Sequence, residues 1–265
     1  MCGSSSSRPA DAVCETLPVS APVIAVGSGK GGVGKTSVAI GLARELVRRG
    51  RRVGLLDADL TGPDVPRMLG IRRDVKATSV TVTAVAGGPN AALEAVEVDG
   101  LEVASVGFLL GGDQGLTMAG PFSSLMLGRL LHQTAWGDIE VLVVDLPPGS
   151  GDVQQSLLGL TPALAAVLVV TPSEVAHLDT GRTVAVLRQA RVELLGAVEN
   201  MAFATCPHCS EPVPLHPEAP EERTIWALGV PRLARLPYRP DAVLAGEELG
   251  PAVDAAEAWL AETER

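Results

Sequence analysis

The sequence predicts a single α/β domain in which helices cover both faces of a mainly parallel sheet. Two observations support this fold class. Short runs of Val, Ile, Leu and Ala alternate along the chain with segments whose apolar residues recur at helical spacing. The strand-like runs are continuously apolar, which is typical of parallel strands buried on both faces. With 265 residues, 46% of them apolar, the chain can bury a sizeable core without disulfides.

The individual elements follow from the apolar runs and from the glycines and prolines that end them. Pro22–Ser28, Gly34–Gly50 and Arg51–Asp59 are predicted as strand, helix and strand, a βαβ unit with parallel strands. Further strands are expected at Val75–Val85, Leu101–Val106, Ile139–Leu146, Leu164–Thr171, Val192–Asn200 and Arg232–Leu236, with a turn at Gly87–Asn90. Further helices are expected at Gly62–Gly70, Pro121–Thr134, Glu174–Arg191, Thr224–Leu228 and Val253–Glu264. Residues 1–20 are predicted to be a disordered, Ser-rich tail, so the domain comprises residues 21–265.

Composition and charge limit the classes of partner. The net charge of −10 and the aromatic content of 3% argue against a nucleic-acid-coating protein. No apolar run approaches the roughly 18 residues of a membrane span, and the first residues lack the apolar centre of a signal peptide. We therefore expect a cytoplasmic protein that binds neither nucleic acid nor membrane. Because thiols stay reduced there, a close cysteine pair indicates metal or redox chemistry.

A phosphate-binding loop is predicted between the first strand and the first helix. The segment SGKGGVGKTS has the spacing G-x-x-x-x-G-K-(S/T). Its glycines let backbone N–H groups converge on phosphate, and the start of the helix favours an anion. Lys35 is expected to bind the β- and γ-phosphates of ATP, and the Thr36 hydroxyl to bind Mg²⁺. The candidate nucleotide-binding residues of this P-loop are Gly29, Lys30, Gly31, Gly32, Val33, Gly34, Lys35, Thr36 and Ser37.

Acidic residues end two of the predicted strands beside this loop. Asp145 ends the strand VLVVD and precedes the Pro/Gly-rich segment LPPGSGD. A carboxylate in this position can hold Mg²⁺ next to a P-loop, so Asp145 is the Walker-B candidate. Asp57 and Asp59 end the second strand, and Asp59 is also expected near Mg²⁺. Asp57 has an alternative role as the cap of a turn or helix.

The other informative pattern is Cys206-Pro-His-Cys209. Such a pair can be half of a zinc site, a redox pair, two ligands of an iron–sulfur cluster, or two unrelated thiols. The remaining cysteines, Cys2 and Cys14, lie in the tail and match no four-cysteine ferredoxin spacing. His208 or His216 could complete a zinc site. Alternatively, a two-fold dimer would supply four thiolates, which suit a 4Fe–4S cluster or tetrahedral zinc.

These motifs together resemble a known family. KGGVGKT resembles the deviant P-loop of the nitrogenase-reductase/MinD/ParA ATPases. From Val23 to about Pro251 the chain resembles their Mrp/ApbC-type branch, the iron–sulfur cluster carrier ATPases. The segments that carry this resemblance are GKGGVGKTSVAIGLA, LLDADLTGPDVPRMLG, VLVVDLPPGSGDVQQSL, VVTPSEVAHLD and GAVENMAFATCPHCSE. The resemblance implies a P-loop NTPase fold and a slow ATPase that transfers a 4Fe–4S cluster to apo-proteins.

The resemblance also implies roles for single residues around the nucleotide. Lys30 would cross the interface of a homodimer to the partner's nucleotide and stabilise charge on the transferred phosphoryl group. Asp59, in the position of the switch I acid, would orient or deprotonate the attacking water. Asn200 would contact the adenine, and Pro237 would lie near the base. From the pattern alone, Asn200 could equally be a residue that ends a strand.

For the cysteines, the resemblance implies that Cys206 and Cys209 ligate a cluster that bridges two subunits. The chain departs from the family at Met118-Ala119, where Trp-Arg is frequent, and at VPLHPEAPEE, which replaces a Gly/Phe-rich stretch. Two other functions are compatible with the motifs. One is a ParA/MinD-like positioning or partner-regulating ATPase, although the acidic end PAVDAAEAWLAETER argues against membrane docking. The other is a zinc-stabilised nucleotide-binding module.

Overall fold

A computed structural model describes residues 21–59, 62–71, 93–108, 120–149, 157, 160–161, 163–239, 244 and 246–265. Its strands are β1 (Val23–Ser28), β2 (Val53–Asp57), β3 (Leu93–Glu94), β4 (Val96–Val98), β5 (Leu101–Ser105), β6 (Thr134–Ala135), β7 (Val141–Asp145), β8 (Leu164–Val170), β9 (Glu193–Thr205), β10 (Pro212–Pro214) and β11 (Arg232–Pro237). Its α-helices are α1 (Lys35–Arg48), α2 (Val65–Met68), α3 (Gly120–His132), α4 (Glu174–Gln189) and α5 (Gly250–Thr263). Short 3₁₀ turns lie at Val106–Phe108, Glu221–Arg223 and Gly246–Leu249.

The main sheet has nine strands, in the order β10-β9-β8-β1-β7-β2-β5-β4, with β11 also paired to β9. The strands β1, β2, β5, β7, β8, β9 and β11 pair in parallel. The edge strands β4 and β10 are antiparallel to their neighbours. The structure therefore confirms the predicted mainly parallel sheet. The carboxyl ends of its parallel strands lie at one edge, where such folds bind ligands.

Helices cover both faces of this sheet. Ile24 and Val26 of β1 pack in the core cluster that contains α1 and α5. Val23 and Ala25, which alternate with them, pack in a second cluster that contains α3. A third cluster joins α4 to β8 and β9. Two buried faces explain why the central strands are apolar without alternation. Among the described residues, no helix has the length and apolar character needed to cross a bilayer.

The structure corrects one predicted element and extends another. The predicted helix Thr224–Leu228 is wrong, because this segment forms turns after the 3₁₀ turn at Glu221–Arg223. Gly229 has a φ of 76°, which turns the chain before a helix can propagate. The predicted strand Val192–Asn200 continues to Thr205, because β10 pairs with its distal end.

The other predicted elements within the described residues are found with ends that differ by a few residues. The predicted strand Val75–Val85 and turn Gly87–Asn90 lie outside the described residues. The predicted tail, residues 1–20, also lies outside them.

Candidate functional site

The P-loop connects β1 to α1 at the carboxyl edge of the sheet. Gly34 is the N-cap of α1, has a φ of 84°, and makes no side-chain capping hydrogen bond. The first-turn N–H groups of α1 are therefore not occupied by a capping side chain. Such groups bind phosphate at the positive end of a helix. Gly32 is also left-handed, with a φ of 76°, which favours glycine at that position.

Gly29 lies where the loop packs against α4. A Cβ atom added to Gly29 would come within 2.3 Å of the Thr180 backbone nitrogen and 2.4 Å of the Asp179 carbonyl carbon. Backbone atoms of a helix cannot give way as the tip of a flexible side chain can. Glycine at this position therefore allows β1, the P-loop and α4 to pack closely.

Gly29→Ala is expected to destabilise the protein by about 1–3 kcal/mol, the usual cost of overpacking a well-packed site. Gly31→Ala is the matched control in the same loop, because a Cβ at Gly31 would meet only Pro148 Cγ at 3.9 Å. Urea unfolding of the two variants and the parent measures the difference. Equal stability of the two variants would contradict the close packing at Gly29.

Lys35, Thr36 and Asp145 form a contact group at the centre of the site. The parallel register of β1 and β7 brings the end of β7 to the P-loop. Lys35 Nζ donates to Asp145 Oδ1 at 2.7 Å, and Thr36 Oγ1 donates to Asp145 Oδ2 at 2.7 Å. Burial raises the pKa of Asp145, and the Lys35 ammonium opposes this rise. The predicted Walker-B acid and the two P-loop side chains are thus brought together by the fold.

A cleft of about 320 Å³ opens beside this group. Among the residues that line it are the predicted nucleotide-binding residues Lys30, Gly31, Gly32, Val33, Gly34, Lys35, Thr36 and Ser37, together with Asp59. A hydroxyl and a carboxylate, as in Thr36 and Asp145, are hard oxygen ligands of the kind that Mg²⁺ takes in phosphate sites. Magnesium needs only one or two protein ligands there, since phosphates and water complete its shell. The donor set therefore fits Mg²⁺.

The acids that end β2 have different environments. Asp59 lines the cleft, and its Oδ1 accepts from Gly62 N at 3.2 Å. Asp57 is fully buried and accepts hydrogen bonds from Asp59 N, Val65 N and Ser105 Oγ. Burial raises the pKa of Asp57 to about 8, with a further contribution from the charge of Asp145. Asp57 therefore acts as a cap for the following segment, the alternative that the sequence left open.

Asn200 lies against the P-loop from β9. Its Nδ2 donates to the Val33 carbonyl at 2.8 Å, and a Cβ added to Gly34 would lie 2.2 Å from that nitrogen. Met201, the next residue, has a φ of 56° and lines the cleft. The sequence motifs did not predict that Met201 belongs to the site. The only feature of the sequence that could have indicated this is its position next to Asn200. The adenine contact of Asn200 remains a prediction.

Pro237 lies at the end of β11, paired with Phe203 of β9. It is half-buried and does not line the cleft. β9 thus joins the neighbourhood of Pro237 to the P-loop contact of Asn200. A position of Pro237 near the base likewise remains a prediction.

The cysteine pair lies in the turn between β9 and β10. Cys206 N donates to the Glu211 carbonyl and Ser210 N donates to the Cys206 carbonyl, both at 2.9 Å. Ser210 closes the turn with a φ of 61°. Backbone N–H groups of Cys209 and His208 hydrogen-bond to the Cys206 thiol and lower its pKa. This turn therefore favours the thiolate form, which is the form that binds a metal.

The cysteine turn offers only part of a metal site. Cys206 is half-buried and Cys209 is exposed, and both are free thiols. The described residues hold no group of three or more His, Cys, Asp or Glu side chains arranged for a metal. His208 and His216, both exposed, therefore do not complete a zinc site in the described part of the chain. Any further ligand would have to come from outside the described residues.

Comparison with known families agrees with this combination of a P-loop and a cysteine turn. A model of the ParA group, described as the NUBPL iron-transfer P-loop NTPase, matches residues 20–264. The chain belongs to this family. The NUBPL iron-transfer P-loop NTPases are nucleotide-binding proteins of the α/β class, and the predicted family and fold are thereby confirmed.

Curated relatives carry the description iron–sulfur cluster carrier protein. The protein from Haemophilus influenzae is 39% identical over 215 residues, which cover 81% of this chain and 56% of the relative. The protein from Pseudomonas fragi is 39% identical over 219 residues, which cover 81% of this chain and 72% of the relative. For the protein from Escherichia coli, the matched residues cover 50% of the relative. This NUBPL-family chain thus spans about half the length of several curated relatives.

Solved structures agree with the family assignment. A nucleotide-binding protein from Archaeoglobus fulgidus in complex with ADP has a TM-score of 0.67 and 31% identity, over 89% of both chains. MinD from Pyrococcus horikoshii, complexed with Mg-ADP, has a TM-score of 0.58 and 22% identity, over 91% of this chain and 93% of its own. The second comparison supports the fold alone.

Proposed function

We propose that this protein is an ATP-dependent carrier of iron–sulfur clusters that binds and hydrolyses ATP and passes a 4Fe–4S cluster to apo-proteins. The observation that supports this most is that β9 contacts the P-loop through Asn200 and ends at the cysteine turn. The description of the curated relatives supports the same function.

The residues of the cleft have defined roles in ATP hydrolysis. The backbone N–H groups of the P-loop and Lys35 bind the phosphates. Thr36 and Asp145 would hold Mg²⁺, which would neutralise phosphate charge when bound. Asp59 orients a water that attacks the γ-phosphorus. The bond to the β–γ bridging oxygen then breaks, ADP leaves, and the proton of the water passes to Asp59 or to the released phosphate.

Lys35 has to change partner in this mechanism. Its ammonium, 7% exposed, now lies on Asp145 Oδ1, and a bound triphosphate offers it stronger negative charge. Asp145 and Thr36 would then be available to hold Mg²⁺, which would supply positive charge beside Asp145. The 1%-exposed carboxylate of Asp145 would thus keep a cation beside it with and without nucleotide.

A homodimer would supply the ligands that the described residues of one chain do not. The cysteine turn offers two thiols, and the described residues place no third ligand beside them. A two-fold axis near the turn would bring four thiolates together, the set that a 4Fe–4S cluster takes. The same dimer would allow Lys30 to reach the partner's nucleotide, as the resemblance implies. Lys30 lines the cleft, which is compatible with that role.

Cluster loading and transfer test this function directly. The protein, reconstituted anaerobically with iron and sulfide, is expected to be brown, to hold about one cluster per dimer, and to activate an apo-protein that needs a 4Fe–4S cluster. Transfer should be faster with MgATP than without nucleotide. Zinc at the cysteines with no bound iron would favour the nucleotide-binding module instead. Pelleting with DNA or liposomes in MgATP, without iron, would favour the positioning ATPase.

A further inference from the structure

We propose that Asp57 is a positioning residue for ATP hydrolysis: its buried carboxyl group binds the backbone N–H groups of Asp59 and Val65, and so holds Asp59 where it can orient the attacking water. This rests on the proposed function, in which Asp59 has that role. Asp57 itself does not line the cleft.

The hydrogen bonds of Asp57 fix both ends of the segment from Asp59 to Val65. Oδ1 accepts from Asp59 N at 3.2 Å, and Oδ2 accepts from Val65 N, at the start of α2, at 3.2 Å. Oδ2 also accepts from Ser105 Oγ at 3.0 Å, on the neighbouring strand β5. One side chain therefore ties the start and the end of the segment to the sheet.

Ser105 extends this anchor into the turn that follows β5. Its Oγ accepts from Gly107 N at 2.9 Å. A Cβ added to Gly107 would lie 3.2 Å from Pro63 Cβ and 3.3 Å from Pro66 Cγ. Pro63 and Pro66 thus lie close to the 3₁₀ turn, and Val65 between them is hydrogen-bonded to Asp57.

Both oxygens of Asp57 accept hydrogen bonds. All three groups that bind its carboxyl group are donors. Asparagine has the same shape, but in either orientation its NH₂ group faces at least one of these N–H donors. Burying an acid costs free energy of desolvation, which raises the pKa of Asp57 to about 8, so hydrogen bonding to the neighbouring backbone is the better account of an acid here.

Asp57→Asn is therefore expected to slow ATP hydrolysis while nucleotide binding is kept. We expect kcat to fall about 10- to 100-fold, less than the roughly 100- to 10,000-fold contribution of a general base, because Asp59 is displaced and not removed. The Kd for MgADP should stay within about twofold of the parent value, because ADP binding needs neither Asp59 nor an attacking water. Ser105→Ala removes one of the three hydrogen bonds and should give a smaller fall in kcat, again with an unchanged Kd.

A double-mutant cycle in the full chain separates positioning from a general structural role. If Asp57 acts through Asp59, the variant with both Asp57→Asn and Asp59→Asn should hydrolyse ATP as slowly as Asp59→Asn alone. If the fold-losses in kcat of the two single variants multiply in the double variant, the proposal is overturned. It is also overturned if Asp57→Asn hydrolyses ATP at the parent rate while Asp59→Asn is slow. Parent-rate turnover by Asp59→Asn would overturn it together with the proposed role of Asp59. Should Asp57→Asn fail to fold, the cycle is run with Ser105→Ala in place of Asp57→Asn. Losses in kcat that multiply in the variant with both Ser105→Ala and Asp59→Asn would overturn the proposal in the same way.

Discussion

Lys35→Ala is expected to lose ATP hydrolysis by at least about 1,000-fold, because it removes the cation that stabilises charge on the transferred phosphoryl group. Phosphate release under single-turnover conditions measures this loss. The substitution also leaves Asp145, 1% exposed, without its ammonium partner. Breaking a buried ion pair in this way costs about 3–5 kcal/mol of stability. Unfolding in urea should show that second effect.

A control separates these two effects of the Lys35 substitution. The double variant Lys35→Ala with Asp145→Asn removes the uncompensated charge, so much of the stability should return while hydrolysis stays absent. Hydrolysis that returns with stability would show that the single variant failed through unfolding. A Lys35→Ala protein that binds and cleaves ATP as the parent does would refute the P-loop assignment.

The second large effect is expected at the cysteine turn. Cys206→Ser and Cys209→Ser should each lose the brown colour after anaerobic reconstitution, with bound iron and sulfide below about a tenth of the parent content. Serine keeps the size of the side chain, but it is a poor ligand for the soft metal centre that thiolates prefer. Iron and sulfide analysis of the desalted proteins measures the loss.

The other two cysteines of the chain supply the matched control. Cys2→Ser with Cys14→Ser removes two thiols from the predicted tail, one more than either single variant removes from the cysteine turn. This double variant should load iron and sulfide as the parent does. Loading by the Cys206→Ser variant, or loss of loading in the tail variant, would place the cluster ligands elsewhere.

Local patterns predicted much of the site. The strand, P-loop and helix of β1 and α1 lie together in the sequence, so their spacing alone identified Lys35 and Thr36. Asp145 was found because a parallel strand ends at the same sheet edge as its neighbours. In the structure, Asp145 accepts hydrogen bonds from Lys35 and Thr36 of the P-loop, and its role with Mg²⁺ remains a prediction.

Features that depend on distant pairing were not predictable in the same way. The extension of β9 to Thr205 requires pairing with β10. The turn that replaces the predicted helix Thr224–Leu228 is a separate case, because it depends on the left-handed conformation of the adjacent Gly229. The anchor between Asp57 and Ser105 depends on the neighbouring positions of β2 and β5, which no local pattern encodes.

One strand connects the P-loop contact of Asn200 to the cysteine turn. From Asn200 to Cys206 the chain spans at most about 20 Å at roughly 3.3 Å per residue, and neither cysteine lines the cleft. The proposed phosphate ligands and the proposed cluster ligands are therefore separate sets of side chains. A reagent that modifies only these two thiols is expected to leave the residues of the cleft unmodified. Within one chain, the strand that joins the two sites carries the left-handed Met201 (φ 56°).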